Sequence, residues 1–244
     1  MTGLEHTYDR FRTTRWTEIR ALGEGGEEQR REALEALILR YWPAVYAHLR
    51  AAGQDRDAAA ELTQAFFADV ILDRDLFSKA RPGRGKLRTL LLTALNRFRI
   101  DRHRRAAARG AEITIPLEAL HLEDARLGRA ARDGEQVFER RWAMGLFEEA
   151  LRRCESHFRE SGRAAHWELF EARILRSAIS GNEPGPLGEM PEAMGFASPA
   201  LAAAAVQVVK RRAMALLREV VAETVDNPAD VEAELADVRR FLLL

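Results

Sequence analysis

Residues 87–105 read LRTLLLTALNRFRIDRHRR. Leu91, Leu92, Leu95, Phe98 and Ile100 fall close to the three- and four-residue spacing of an amphipathic helix, and much of what lies between and after them is basic. The turn Pro82-Gly83-Arg84-Gly85 punctuates the chain just before it. A helix is therefore expected from Leu87 to about Arg105.

The same period recurs on both sides. Between residues 27 and 50 the apolar positions are Leu34, Leu37, Ile38, Tyr41, Trp42, Val45, Tyr46 and Leu49, with Pro43 expected to kink or end that helix. Leu62, Phe66, Phe67, Val70 and Ile71 form another stripe, with a capping carboxylate at Asp55 or Asp57. The pattern weakens over 106–135, where Gly110, Pro116, Gly128 and Gly134 interrupt it. It resumes with Phe138, Trp142, Leu146, Phe147, Ala150 and Leu151, then Phe158, Trp167, Leu169, Phe170, Ile174 and Leu175. After a break at 181–186, a short helix at 187–194, the turn Gly195-Phe196-Ala197 and a helix from Ser198-Pro199 to about residue 223 make a helix-turn-helix pattern. A helical tail follows Pro228. The one β-like stretch, 113–115, is too short for a sheet. The fold expected is all-α. Two small helical domains, a bundle over 11–108 and a helix-turn-helix domain over 136–225, are joined by a flexible linker over 109–135 and followed by an acidic helical tail over 226–244.

Composition excludes several classes. The chain has 244 residues, 47% of them hydrophobic and 31% charged, too apolar for a disordered chain. No apolar run approaches the ~20 residues that span a bilayer, so no membrane partner is expected. The charged N-terminus does not read as a secretion signal. One cysteine, Cys154, cannot form an internal disulfide, which suits a cytoplasmic protein. It reads as a small buried hydrophobe, and Glu148 and Glu149 as helix surface. His6, His48, His103, His121, His157 and His166 are scattered, and none pairs with cysteine at metal-ligand spacing. With no phosphate-cradling glycine loop and no nucleophile elbow, no catalytic residue, metal or cofactor is expected.

Lys+Arg 38 balance Asp+Glu 38, a net charge of +0. The sum hides a segregation. Residues 79–109 carry eleven bases against the single acid Asp101, a local +10. Residues 219–240 carry seven acids against Arg239 and Arg240, a local −5. A basic helix of that density is a footprint for nucleic-acid phosphates.

The segments Thr14-Arg15-Trp16, Arg40-Tyr41-Trp42-Pro43, Glu61-Leu62-Thr63-Gln64-Ala65-Phe66-Phe67, the run from Pro82 to Leu95, and Ile100-Asp101-Arg102-His103-Arg104-Arg105 come in an order that resembles bacterial RNA polymerase sigma factors. The group resembled is the extracytoplasmic-function (ECF) group of the sigma-70 superfamily. Leu216-Leu217-Arg218-Glu219 and Ala222-Glu223-Thr224-Val225 resemble the close of region 4 in a soil-bacterial subgroup. The resemblance implies a region 2 bundle, a region 4 helix-turn-helix, and transcription initiation rather than enzymatic activity. Its partners would be core RNA polymerase, through the β′ clamp helices and the β flap, and promoter DNA, with an anti-sigma factor or a Ser/Thr kinase as regulator.

By position, Glu61, Leu62, Gln64, Phe66, Phe67 and Val70 would dock on polymerase. Arg88, Asn96, Arg97, Arg99, Arg102, His103, Arg104 and Arg105 would meet the melted −10 strand. Ser198, Gln207, Lys210, Arg211 and Arg212 would meet the −35 groove, and 106–135 would thread toward the RNA exit path. Where the family carries acidic residues, this chain has Ala58-Ala59-Ala60 and Ala65; a phosphate on Thr63 would add about −1.5 to −2 charges there. The recognition helix begins Pro199-Ala200-Leu201-Ala202-Ala203-Ala204-Ala205, which offers thymine-methyl contact but few hydrogen-bond donors. Two other readings stay open: a helix-turn-helix regulator that needs no polymerase, and a sigma-like adaptor with weak −35 reading.

Overall fold

The structure is a computed structural model that describes residues 25–72, 76, 86–109, 117–177, 194–225 and 227–243. The described residues form helices and their connecting turns, with no strand among them. In chain order these are α1 (Glu27–Ala51), α2 (Arg56–Phe66), α3 (Leu87–Arg109), α4 (Leu117–Glu160), α5 (Ala164–Phe170), α6 (Pro199–Ala222) and α7 (Val231–Leu243). The Pro82–Gly85 turn, the Thr14-Arg15-Trp16 motif and all but Met194 of the short helix expected at 187–194 lie outside the described residues, and Met194 sits in a turn.

Contacts divide the chain into two units. One holds the described residues of 10–145 together with 223–243; the other holds those of 146–222. The second unit is thus inserted, in sequence, between two parts of the first.

In the first unit α1 packs on α2. Ala33, Leu37, Tyr41, Ala44, Val45 and Leu49 point inward along α1 at helical spacing. Pro43 does not end α1; the helix passes through it, forgoing the hydrogen bond its missing N–H would make. Gly53, at φ 89°, ends the helix in a left-handed conformation that favours glycine. The Asp55 carboxylate caps α2, accepting a 2.8 Å hydrogen bond from the Ala58 N–H. Beyond Phe66 the helix widens into a π-type turn, Phe67–Leu72. Phe66, Phe67 and Phe98 meet edge to face or in sequence, Trp42 stacks on Phe67 at 5.4 Å, and Tyr41 stacks on Phe138 at 6.4 Å. All of these rings but that of the half-buried Trp42 lie in the core.

The linker expected over 109–135 is helical from Leu117 onward, within a 44-residue helix. Its leucines, alanines, arginines and glutamates are good helix formers, and they outweigh two glycines at about 1 kcal/mol each. Gly134 has a further role. A Cβ there would lie 2.8 Å from the His48 ring, so glycine lets α1 and α4 approach closely. The expected domain border at 135/136 moves accordingly: Phe138 and Trp142 belong to the first unit, because their rings are buried against α1 and α3.

In the second unit Leu146, Ala150, Cys154 and Phe158 of α4 and Trp167, Leu169 and Phe170 of α5 are buried, and α5 packs on α6. The α6 residues Ala202, Ala205, Val206, Val209, Ala213, Leu216, Leu217 and Val220 close that core. The Cys154 thiol donates toward the Val209 carbonyl at 3.9 Å, and burial pushes its pKa up to about 11, which keeps it an unreactive thiol. Glu149 is not helix surface. It is buried and accepts hydrogen bonds from Arg152 (2.9 and 2.8 Å) and Arg153 (2.7 Å).

Candidate nucleic-acid interface

The basic helix α3 has two different ends. Leu87, Arg88, Leu91, Leu92, Leu95 and Phe98 are buried, and Phe98 is the last of them. Arg97 is exposed, and every residue of 100–105 is exposed. The helix therefore leaves the packed bundle as a basic rod. Arg102 lays its guanidinium over the Phe98 ring at 5.3 Å, and Arg104, Arg105 and His103 face solvent.

At the other end Arg88 is 4% exposed. Its Nε lies 2.8 Å from Glu139 Oε2 and its Nη2 lies 2.7 Å from Asp237 Oδ2, while Nη1 pairs with Glu234 Oε1. The guanidinium sits 4.2 Å from the centre of the Trp142 ring. Lys86 joins the cluster, with Nζ 2.6 Å from Glu234 and 2.5 Å from Asp237. Arg240 holds the other Asp237 oxygen at 2.9 Å. Burial works against the Asp237 carboxylate, but Lys86, Arg88 and Arg240 outweigh it and hold its pKa below the usual range. Glu139 goes the other way: burial, helped by the nearby Asp237 charge, raises its pKa against the pull of Arg88 and Lys86.

Arg88 is thus withdrawn from the −10 set expected from the sequence. It occupies the apolar register of α3, three, four and seven residues before Leu91, Leu92 and Leu95, and it is neutralised within the fold. Asn96 is withdrawn as well: its amide nitrogen donates a 2.7 Å hydrogen bond to Glu135. Arg99 is half-buried, with Nη1 3.3 Å from His48 Nε2. Arginine can only donate, so Nε2 accepts and the neutral imidazole carries its proton on Nδ1. Burial, helped by the Arg99 charge, lowers the His48 pKa to about 4.

The docking set splits in the same way. Glu61 and Gln64 are exposed and Leu62 is half-buried, but Phe66, Phe67 and Val70 are core residues of the bundle rather than a free apolar stripe. Thr63 is 0% exposed and its hydroxyl donates a 2.7 Å hydrogen bond to the Ala59 carbonyl, so it is not presented to a kinase.

On α6, Ser198 caps the helix by accepting from the Leu201 N–H at 3.2 Å, which leaves it a structural rather than a reading role. Gln207, Lys210 and Arg211 are exposed, along with Ala200, Leu201, Ala203, Ala204 and Met214. Arg212 is half-buried and lies 3.4 Å from Glu219.

Glu139, Glu234 and Asp237 are the neighbours of α3 that helical spacing alone does not single out. A signal existed: Arg88 and Glu234 are charges of opposite sign, each sitting in the apolar register of its own helix. Among the described residues no group of three His, Cys, Asp or Glu is arranged to hold a metal ion, and no helix is long and apolar enough to cross a membrane. No family model, no curated protein and no solved structure matches the chain.

Proposed function

We propose that the chain acts as a cytoplasmic, sigma-type transcription initiation factor. It would bring core RNA polymerase to promoter DNA and hold the melted −10 strand on the exposed end of α3, with α6 at the −35 element. Two domains, region 2-like and region 4-like, would share the work. No cofactor and no catalytic residue enters this reading.

The observation that carries it is the basic rod. Residues 100–105 extend past Phe98, the last buried residue of α3 among those described, and present Arg102, His103, Arg104 and Arg105 to solvent. Favourable interaction of cations with a helix C-terminus accounts for charges in the last turn only, and α3 runs on to Arg109. Arg97 extends the charged surface further back. Such a surface neutralises phosphates and releases their counterions, which makes binding steeply salt-dependent. On α6, Lys210 and Arg211 supply phosphate contacts, while Ala200, Leu201 and Ala204 offer apolar contact with thymine methyl groups.

One observation favours a second reading, a nucleic-acid binder that needs no polymerase: Phe66, Phe67 and Val70 are committed to the bundle core and leave only Glu61, Gln64 and part of Leu62 for docking. In vitro transcription of a pooled promoter library with core polymerase separates the two. Start sites that appear only when the chain is added support the first reading. Tight duplex binding by the chain alone, with no retention on core polymerase, would replace it with the second.

A further inference from the structure

The carboxylates around Lys86 and Arg88 come from two sources that differ in how they are held. Glu139 belongs to α4, whose first-unit stretch is anchored by the buried Phe138 and Trp142. Glu234 and Asp237 belong to α7, a 13-residue helix near the chain end. An isolated helix of that length is marginal in water, so α7 is helical because it is docked. Its docked face consists of Val231, Leu235 and Val238 with Glu234 among them. It is joined to α6 by a short connection in which Asn227 caps the turn Pro228–Asp230, its side-chain oxygen accepting a 3.0 Å hydrogen bond from the Ala229 N–H. The Lys86 side chain, 40% exposed, forms the open edge of the cluster.

Two carboxylates on one helix face that grip a lysine and an arginine offer those cations what two phosphates would offer. Oxyanions accept from lysine as a point charge and from arginine through its planar fork, whichever group carries them. Arg88 cannot be abandoned: with α7 gone, Glu139 alone would face two cations, one of them now deprived of its burial partner. Release of α7 is therefore coupled to arrival of another anion. Meanwhile residues 100–105 are exposed with α7 docked.

We infer that α7 is an exchangeable latch, in which Glu234 and Asp237 occupy Lys86 and Arg88 until the phosphates of a bound nucleic acid replace them. This rests on the nucleic-acid reading of α3. The exposed rod makes the first contact, a phosphate reaches Lys86 at the open edge, and α7 leaves as a second phosphate takes Arg88. The exchange adds two cations to the bound surface and frees an acidic, amphipathic segment at the same moment.

The test uses the full chain and a fluorescein-labelled 20-nucleotide single strand. Hydrogen exchange of 231–243 is followed with and without saturating oligonucleotide, and affinity is measured by anisotropy across a salt series. Exchange over 231–243 should speed up at least tenfold in the complex while α1 stays protected. In the variant E234Q/D237N, affinity at low salt should rise roughly tenfold while the slope of log affinity on log salt stays within about 0.7, one single-strand contact, of the unaltered chain's, because both complexes hold the same two phosphates. If the oligonucleotide binds and the protection of 231–243 in the unaltered chain is unchanged, the latch is overturned while the nucleic-acid reading stands. That measurement holds even if the double variant fails to fold. If neither chain binds at any salt concentration, the latch and the nucleic-acid reading fall together.

Discussion

The first turns of α3 and its last turns carry the same kind of residue and have opposite fates. Lys86 and Arg88 are enclosed by Glu139, Glu234 and Asp237; Arg102, Arg104 and Arg105, four turns further on, are exposed. The difference is one of register for Arg97 and Arg104, and of reach for Arg102 and Arg105, which share the face of Arg88 but lie beyond the buried Phe98. Arg88 lies on the face that Leu91, Leu92 and Leu95 bury, whereas Arg97 and Arg104 lie on the face with Thr89 and Thr93. A run of like charge measures affinity for a polyanion only after the cations neutralised inside the fold are subtracted.

The comparison breaks most visibly at Arg88. Arg88→Met should cost about 3–5 kcal/mol of stability, because it strands the buried Glu234 carboxylate and the half-buried one of Glu139. Thermal or urea unfolding checks this, and a cost below about 1 kcal/mol would mean that the two ends of α3 are alike after all. The midpoint of the helix gives the next largest effect. His48, beneath Arg99, has a pKa of about 4 against an ordinary 6.5. Its folded value lies below its unfolded one, so the stability it contributes is complete above pH 6.5. That stability drains away as the pH falls toward 4, up to ~3 kcal/mol. Unfolding measured from pH 7 to pH 4 should show this loss, and His48→Gln should flatten it.

Gly134→Ala tests the approach of α4 to the same imidazole. Placing a Cβ 2.8 Å from a buried ring should cost about 1–3 kcal/mol despite alanine's better helix propensity, and His48→Ala in the same chain should recover part of it. The smallest effect on stability belongs to the exposed end. Arg102→Ala, Arg104→Ala and Arg105→Ala should each stay within about 0.5 kcal/mol of the parent. Each should nonetheless lower oligonucleotide affinity and reduce the salt slope by about one contact.

Much of the helical architecture was legible in residue spacing. The stripes of α1, α2 and α3, the Asp55 cap and the Ser198-Pro199 start are local features, and local features leave local patterns. The continuity of α4 was not, because Gly128 and Gly134 read as breaks. Gly134 is there for a ring 86 residues upstream rather than for a turn. For the same reason the interface was only half legible. Counting charge found the basic rod, but it also enrolled Arg88 and Asn96, whose partners Glu234 and Glu135 lie 146 and 39 residues away. Phe66, Phe67 and Val70 show the complementary ambiguity. An apolar stripe fits a docking face and a core equally well, and only the helices packed around it decide.

The insertion of 146–222 within the first unit also sets a timetable. Arg88 precedes Glu234 and Asp237 by 146 and 149 residues. At ordinary rates of synthesis that is a wait of roughly 7–30 s between the making of the arginine and the making of its carboxylates. During that interval 146–222 has its own partners in hand and can settle, while the bundle around Arg88 still lacks a wall. The unit that is translated first is the one completed last, and a chain cut short before Val231 carries its most demanding side chain unfinished.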